Sequence, residues 1–204
     1  ERVCKYIVGL RRDYGYPLFH PGIGIPPIDQ LGRIGSGDLM PGLGENGTSY
    51  NHGSNGFLAR ALAEVGKGDM FYDAMLCLFP YDQARHPIAK AKTAPYAIVN
   101  VYKAAPGREG EGGDTFFSGT IPTAVRNIYQ GLLGVHAEPV GLRITPCLPR
   151  DWDRIDGKIH YAGEALTITV NREKKGYQVQ VNGQPLKDGF YPAPARMAAG
   201  TMTG

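Results

Sequence analysis

The apolar positions of this chain change period near residue 135. Upstream they recur at helical spacing, and downstream they alternate. Val3, Ile7 and Leu10 share one face of a short helix over residues 1–10. Phe57, Leu58, Ala61, Leu62 and Val65 predict a helix over about 55–65, with Ser54 or Asn55 as its cap and Gly66 at its end. Met70, Phe71, Ala74, Met75, Leu78 and Phe79 line a second helix, capped by Asp69 and stopped by Pro80, so the pair forms a helical hairpin. Ala124, Val125, Ile128, Tyr129, Leu132 and Leu133 line a third, opened by Pro122 and closed by Gly134. Further on, Leu142-Arg143-Ile144 reads as a strand. Leu166, Ile168 and Val170 alternate with Thr167, Thr169 and Asn171, and Tyr177, Val179 and Val181 alternate with Gln178, Gln180 and Asn182, the signature of half-buried strands. Glu173–Gly176 and Asn182-Gly183 are the turns between them.

Three stretches have neither period. Residues 11–44 read as a long ordered loop, because Leu18, Phe19, Ile23, Ile25, Leu31 and Ile34 need burial, and loops of that length usually shape a site. Residues 81–94 read as an irregular polar loop and 107–114 as a flexible charged one. Pro95–Tyr102 is apolar with Asn100 embedded, and helix and strand are equally compatible with it. The fold class expected is therefore mixed α and β: helices, then a small antiparallel β domain.

Composition narrows the function classes. With 42% hydrophobic and 20% charged residues among 204, a buried core is expected and gross disorder is not. The net charge of +3 includes no dense Lys/Arg run, which argues against nucleic acid as a partner. No apolar run reaches membrane-spanning length, and the first residues do not resemble a signal peptide. Cys4, Cys77 and Cys147 are odd in number and lack metal-ligand spacing, which points to a reducing, cytoplasmic setting with no metal. The opening residues read as those of a fragment. The 29 glycines gather in loops.

The chemistry concentrates in residues 44–56, Gly-Glu-Asn-Gly-Thr-Ser-Tyr-Asn-His-Gly-Ser-Asn-Gly, where a carboxylate, amides, hydroxyls and His52 lie just before a helix. A second such entrance is Ser118-Gly119-Thr120, before Pro122. Free N–H groups and the positive end of a helix attract anions, so the two entrances together can hold one anion, provided that they converge.

Read in order, Pro41-Gly42-Leu43-Gly44-Glu45-Asn46-Gly47, Asn51-His52, Ser118-Gly119-Thr120 and Gly141-Leu142-Arg143-Ile144-Thr145-Pro146-Cys147-Leu148-Pro149 with Trp152 resemble the C-terminal part of the inverting phosphorylases of glycoside hydrolase family 94. Its members include cellobiose, cellodextrin, chitobiose and β-1,3-glucan phosphorylases, and the resemblance covers roughly residues 1–185. It implies that residues 1–134 are the C-terminal helices of an (α/α)₆ barrel, that 135–190 are a β-sandwich-like domain, and that 191–204 are a flexible tail. It implies cleavage of a β-linked di- or oligosaccharide by inorganic phosphate, without a cofactor, to give a sugar 1-phosphate. His52, Ser118 and Gly119 match the family's phosphate contacts, and Glu45 and Asn100 its sugar contacts. Phosphate attacks from the face opposite the leaving sugar and takes the place of a base-activated water, so one acid suffices. The family's acidic aspartate belongs upstream of this chain, in the rest of the same polypeptide. Gly44 stands where some members carry lysine, and Ile121-Pro122-Thr123 where an aromatic is common. The sugar, its linkage and a homodimer stay open. Two other readings remain: a carbohydrate-binding β module with a helical appendage, resting on Trp152, Tyr161 and Tyr177, and a related glucosyltransferase or hydrolase.

Overall fold

A computed structural model describes residues 2–18, 47–115 and 119–194. Glu45, Ser118, most of the 11–44 loop and the tail from residue 195 lie outside the described residues. The described residues form a mixed α and β fold, with short helices and three small antiparallel sheets among them. No described helix is long and apolar enough to cross a membrane. The chain forms two compact units, Glu1–Ala61 with Tyr72–Val125, and Leu62–Phe71 with Arg126–Gly204.

The first unit opens with α1 (Arg2–Leu10). Strand β1 (Ser49–Tyr50) leads directly into α2, whose π-helical start Asn51–Phe57 continues as the α-helical Leu58–Glu64. Here the structure departs from the sequence reading. His52 is not on a loop before the helix but inside its first, wider turns. Ser54 closes that start locally: the Tyr50 N–H donates to its hydroxyl at 2.8 Å, and the hydroxyl lies 2.9 Å from the Tyr50 carbonyl. Phe57 is 58% exposed, while Ala59 and Leu62 are buried, because the wider winding rotates the apolar face relative to ordinary helical spacing.

Helix α3 (Gly68–Leu76) and the short α4 (Ile88–Ala91) precede β2 (Val99–Tyr102) and β3 (Gly112–Thr115). Asn100 is thus on a strand. In the sheet ordered β1-β2-β3, Tyr50 pairs with Val101, and Val101 with Gly113. The 107–114 stretch is organised around Glu111, which accepts from Arg108 at 2.7 Å and from Lys103 at 3.2 Å. Those hydrogen bonds, Arg108's foremost and Lys103's next, hold the Glu111 carboxyl down to about 2. Strand β2 is also fixed from its far end. The Tyr102 ring stacks on His86 with centroids 4.2 Å apart and planes 4° apart. His86 Nε2 lies 3.0 Å from the Cys77 carbonyl, so it donates there. Nearby, the Asp73 carboxylate collects Arg11 Nε at 2.7 Å, Arg85 at 2.9 Å and the Tyr16 hydroxyl at 3.1 Å. Burial pushes its carboxyl up, but the two guanidiniums outweigh it and the net shift is downward. The 81–94 stretch, expected to be irregular, therefore contains a helix and a buried histidine.

Helix α5 begins at Thr120 as Thr120–Arg126 and continues as the π-helical Asn127–Leu132, with the Leu133 N–H reaching back to Ile128 at 3.1 Å. Ala124, Leu132 and Leu133 are buried as expected, whereas Val125 and Tyr129 are exposed.

In the second unit the sheet ordered β10-β5-β4 joins Phe190–Pro192, Gly141–Ile144 and Val135–Glu138. Another, β6-β7-β8-β9, joins Arg154–Tyr161, Glu164–Arg172, Tyr177–Val181 and Gln184–Pro185. Leu166, Ile168, Val170, Val179 and Val181 are buried, in line with the period of two. Asn182 and Gly183 both have positive φ, the backbone of a tight hairpin turn. Strands β4 and β6 were not legible from the alternation. Arg172 pins the Pro146–Pro149 corner by donating to the carbonyls of Trp152 at 3.0 Å, Leu148 at 3.2 Å and Pro149 at 2.7 Å.

Candidate functional site

His52 and Gly119 meet inside the first unit. A Cβ built on Gly119 would lie 2.9 Å from His52 Nδ1 and 3.2 Å from its Cε1. Real Cβ atoms do not approach a ring nitrogen that closely, so only glycine lets the imidazole lie against this backbone. The opposite constraint comes from Phe57, whose ring meets the imidazole edge-on with centroids 4.7 Å apart and an interplanar angle of 67°. Residues five apart share a face in a π-helix, which is why these two rings touch. His52 is half-buried, held between a backbone turn and an aromatic ring.

Buried amides fix the turn that carries His52. Asn51 donates to the Val99 carbonyl at 2.8 Å, tying α2 to β2. Asn55 donates to Asn51 Oδ1 at 2.6 Å and to the Ser49 hydroxyl at 2.9 Å, and it accepts the Tyr16 N–H at 2.9 Å. Asn51 and Asn55 are fully buried. Side chains of this polarity go inside only when their hydrogen bonds are made, and here they flank His52 on both sides in sequence. Gly56 lets α2 approach α5, since a Cβ there would run into Thr123.

Asn100 is buried, at 8% exposure. Its Oδ1 accepts from the Thr120 hydroxyl at 3.0 Å, and its Nδ2 donates to the Tyr50 hydroxyl at 3.2 Å. It stands between the residue after Gly119 and a residue two before His52. The structure thus brings together His52, Gly119 and the surroundings of Asn100. Glu45 and Ser118 lie outside the described residues. Tyr50, Asn51, Asn55, Phe57 and Thr120 were not singled out as site residues. Tyr50, Asn51 and Thr120 stood within the quoted motifs, but their partners are distant in sequence. The spacing of Phe57 from Leu58, Ala61 and Leu62 predicts a place on the buried helix face instead.

Other titratable groups have different surroundings. His86 is stacked in the core. Arg108 is paired with Glu111. Cys77 and Cys147 are buried free thiols, and burial pushes Cys77 up to about 12, which removes it as a nucleophile. A cavity of about 640 Å³ opens in the second unit, lined by Tyr177, Glu173 and Asp188 among others, and involves none of the expected site residues.

Comparison with known proteins gives two family matches along the chain. Residues 2–134 match the model of the glycosyl hydrolase 94 superfamily, catalytic domain, and residues 140–187 match that of the glycosyl hydrolase family 65, C-terminal domain. The chain is 32% identical over 167 residues to a solabiose phosphorylase of Paenibacillus borealis, covering 79% of this chain and 21% of that protein. It is 28% identical over 187 residues to an N,N'-diacetylchitobiose phosphorylase of Vibrio proteolyticus, covering 88% and 22%. A cellobionic acid phosphorylase of Neurospora crassa is 26% identical over 190 residues, covering 91% and 23%. The chain spans about a fifth of the length of each of these three relatives. With the match running from residue 2 to residue 134 across α1–α5, the chain belongs to the glycosyl hydrolase 94 superfamily and carries part of its catalytic domain.

Proposed function

We propose that this chain supplies part of the phosphate and sugar pocket of an inverting glycoside phosphorylase, which cleaves a β-linked di- or oligosaccharide with inorganic phosphate to give a sugar 1-phosphate. The observation that carries the proposal is the contact of the His52 ring with Gly119. A phosphate nucleophile already carries its charge, so it needs directed donors and a fixed position more than activation. The imidazole, the backbone around Gly119 and the hydroxyl of Ser118 are of the right kind to provide them. Glu45, from the same glycine-rich segment, is assigned to the sugar.

Helices α1–α5 belong, in this reading, to the C-terminal end of an (α/α)₆ barrel, and the general acid comes from residues outside this chain. The names of the three relatives, all phosphorylases of disaccharides or of an aldobionic acid, support the reaction class. Their differing substrates leave the sugar unassigned.

The test is steady-state phosphorolysis by the full-length protein that contains this segment. His52→Ala should lower kcat/KM for phosphate by about 10²-fold, the usual scale for losing one directed donor at a charged reacting group. An unchanged dependence on phosphate would remove His52 from the site and leave the reading without its main support.

A further inference from the structure

We propose that Asn100 is a positioning residue, whose carboxamide sets the distance between the His52 turn and the Gly119 turn. The proposal rests on the phosphate reading above and changes what is expected of Asn100, which the family resemblance assigns to sugar.

Three observations carry it. Asn100 uses both ends of its amide inside the protein, Oδ1 toward Thr120 at 3.0 Å and Nδ2 toward Tyr50 at 3.2 Å. The residues it joins are the neighbours of the two groups that must stay in register: Thr120 follows Gly119, and Tyr50 precedes Asn51 and His52. The strut stands on a fixed base, since β2 pairs with β1 on one side and β3 on the other, and the Val99 carbonyl one residue away already holds Asn51. Thr120 is fully buried, so its hydroxyl serves Asn100 and not solvent.

Physically, the two turns come from different parts of the chain, and an oxyanion held between them is sensitive to their separation. A misplacement of about 1 Å at such a site can cost on the order of 10²-fold in rate, even when the altered residue touches no substrate. A carboxamide suits the task because it presents one acceptor and one donor in a rigid plane. Removing either partner leaves a buried polar atom without its bond and lets the Gly119 turn drift from the imidazole.

The experiment is steady-state phosphorolysis with the full-length protein, varying phosphate and sugar separately. Thr120→Val keeps the shape and removes the donor. It should raise KM for phosphate about tenfold while KM for the sugar stays within about twofold. Thr120→Ser restores the donor and should bring the phosphate KM back to within about threefold of the parent. Asn100→Leu should raise the phosphate KM similarly, and the double variant should be no worse than the poorer single one, because both remove one strut. If Thr120→Val does not fold, Tyr50→Phe removes the other end of the strut and should raise the phosphate KM in the same direction. Asn100→Leu raising the sugar KM while Thr120→Val and Tyr50→Phe are silent would overturn the proposal and return Asn100 to direct sugar contact. Should His52→Ala leave the phosphate dependence unchanged, the phosphate reading itself fails. Should His52→Ala change that dependence while the strut variants do not, only the strut fails.

Discussion

The imidazole of His52 lies against Gly119 at a distance that excludes any side chain there, with a Cβ at Gly119 falling 2.9 Å from Nδ1. Two segments far apart in the chain, each at the start of a helix, are brought side by side at the histidine of the first and the glycine of the second.

Gly119→Ala therefore tests the contact directly. The added methyl has no room unless the ring rotates or the turn moves, and under the proposed phosphate role either change would alter where the oxyanion meets both groups. In the full-length protein we expect kcat/KM for phosphate to fall by about 10²-fold, with the sugar KM within about twofold. Separate phosphate and sugar titrations in steady-state assays check this. Equal losses in both would point to general disruption instead.

Asn55 should be a stability residue with a local signature. Asn55→Leu leaves the Tyr16 N–H, the Ser49 hydroxyl and Asn51 Oδ1 without the partners they have at 2.9, 2.9 and 2.6 Å. Unsatisfied buried groups of this kind cost about 1–3 kcal/mol each, so a loss of at least about 3 kcal/mol is expected from the three. Chemical unfolding measures the total. Amide hydrogen exchange checks the cause, because Tyr16 should lose its protection ahead of the β6–β9 sheet.

His86 should make stability fall on acidification. Burial holds its imidazolium down to about 4, below the 6.5 of a free histidine. As the pH falls past 6.5 the unfolded chain takes up the proton, while the native chain resists until about 4. The contribution is thus fully present above 6.5 and is lost between 6.5 and 4. The whole effect is on the order of 3 kcal/mol, at about 1.4 kcal/mol per pH unit. Thermal unfolding from pH 7.5 to 4.5 should show a slope that His86→Phe, which keeps an aromatic against Tyr102, makes shallower. An unchanged slope would assign the acid sensitivity to other groups.

How far sequence and structure agree depends on how local each feature is. Leu166, Ile168 and Val170 face inward because side chains on a strand alternate, and no partner needs to be known to read that. The Asn182-Gly183 turn follows from the positive φ that those residue types accept. The same holds for α3, whose apolar spacing and following Pro80 mark its extent to within a few residues. Phe57 shows where local reading stops. Its spacing from Leu58, Ala61 and Leu62 puts it on the buried face of an ordinary helix, yet the π-helical start of α2 turns it outward against His52. Nothing in the residues from 51 to 57 signals the wider winding, which arises with Asn51 and Asn55 being anchored to β2 and to the Tyr14–Tyr16 turn.

Glu111 and His86 teach the same lesson from opposite sides. A charged loop became an organised hairpin because Lys103 and Arg108 converge on one carboxylate, and a histidine in a polar stretch became core because Tyr102 stacks on it.

By itself, then, the sequence determined the change from helical to alternating spacing near residue 135, the strands around Leu166–Val170 and Tyr177–Val181, the tight turns, and the composition of the two helix entrances, since these depend on residues within a few positions of one another. Tertiary structure alone decided that His52 meets Gly119, that Asn100 spans Tyr50 and Thr120, and that α2 starts as a π-helix. Each of those depends on the distance between backbone segments that only the packed chain brings together.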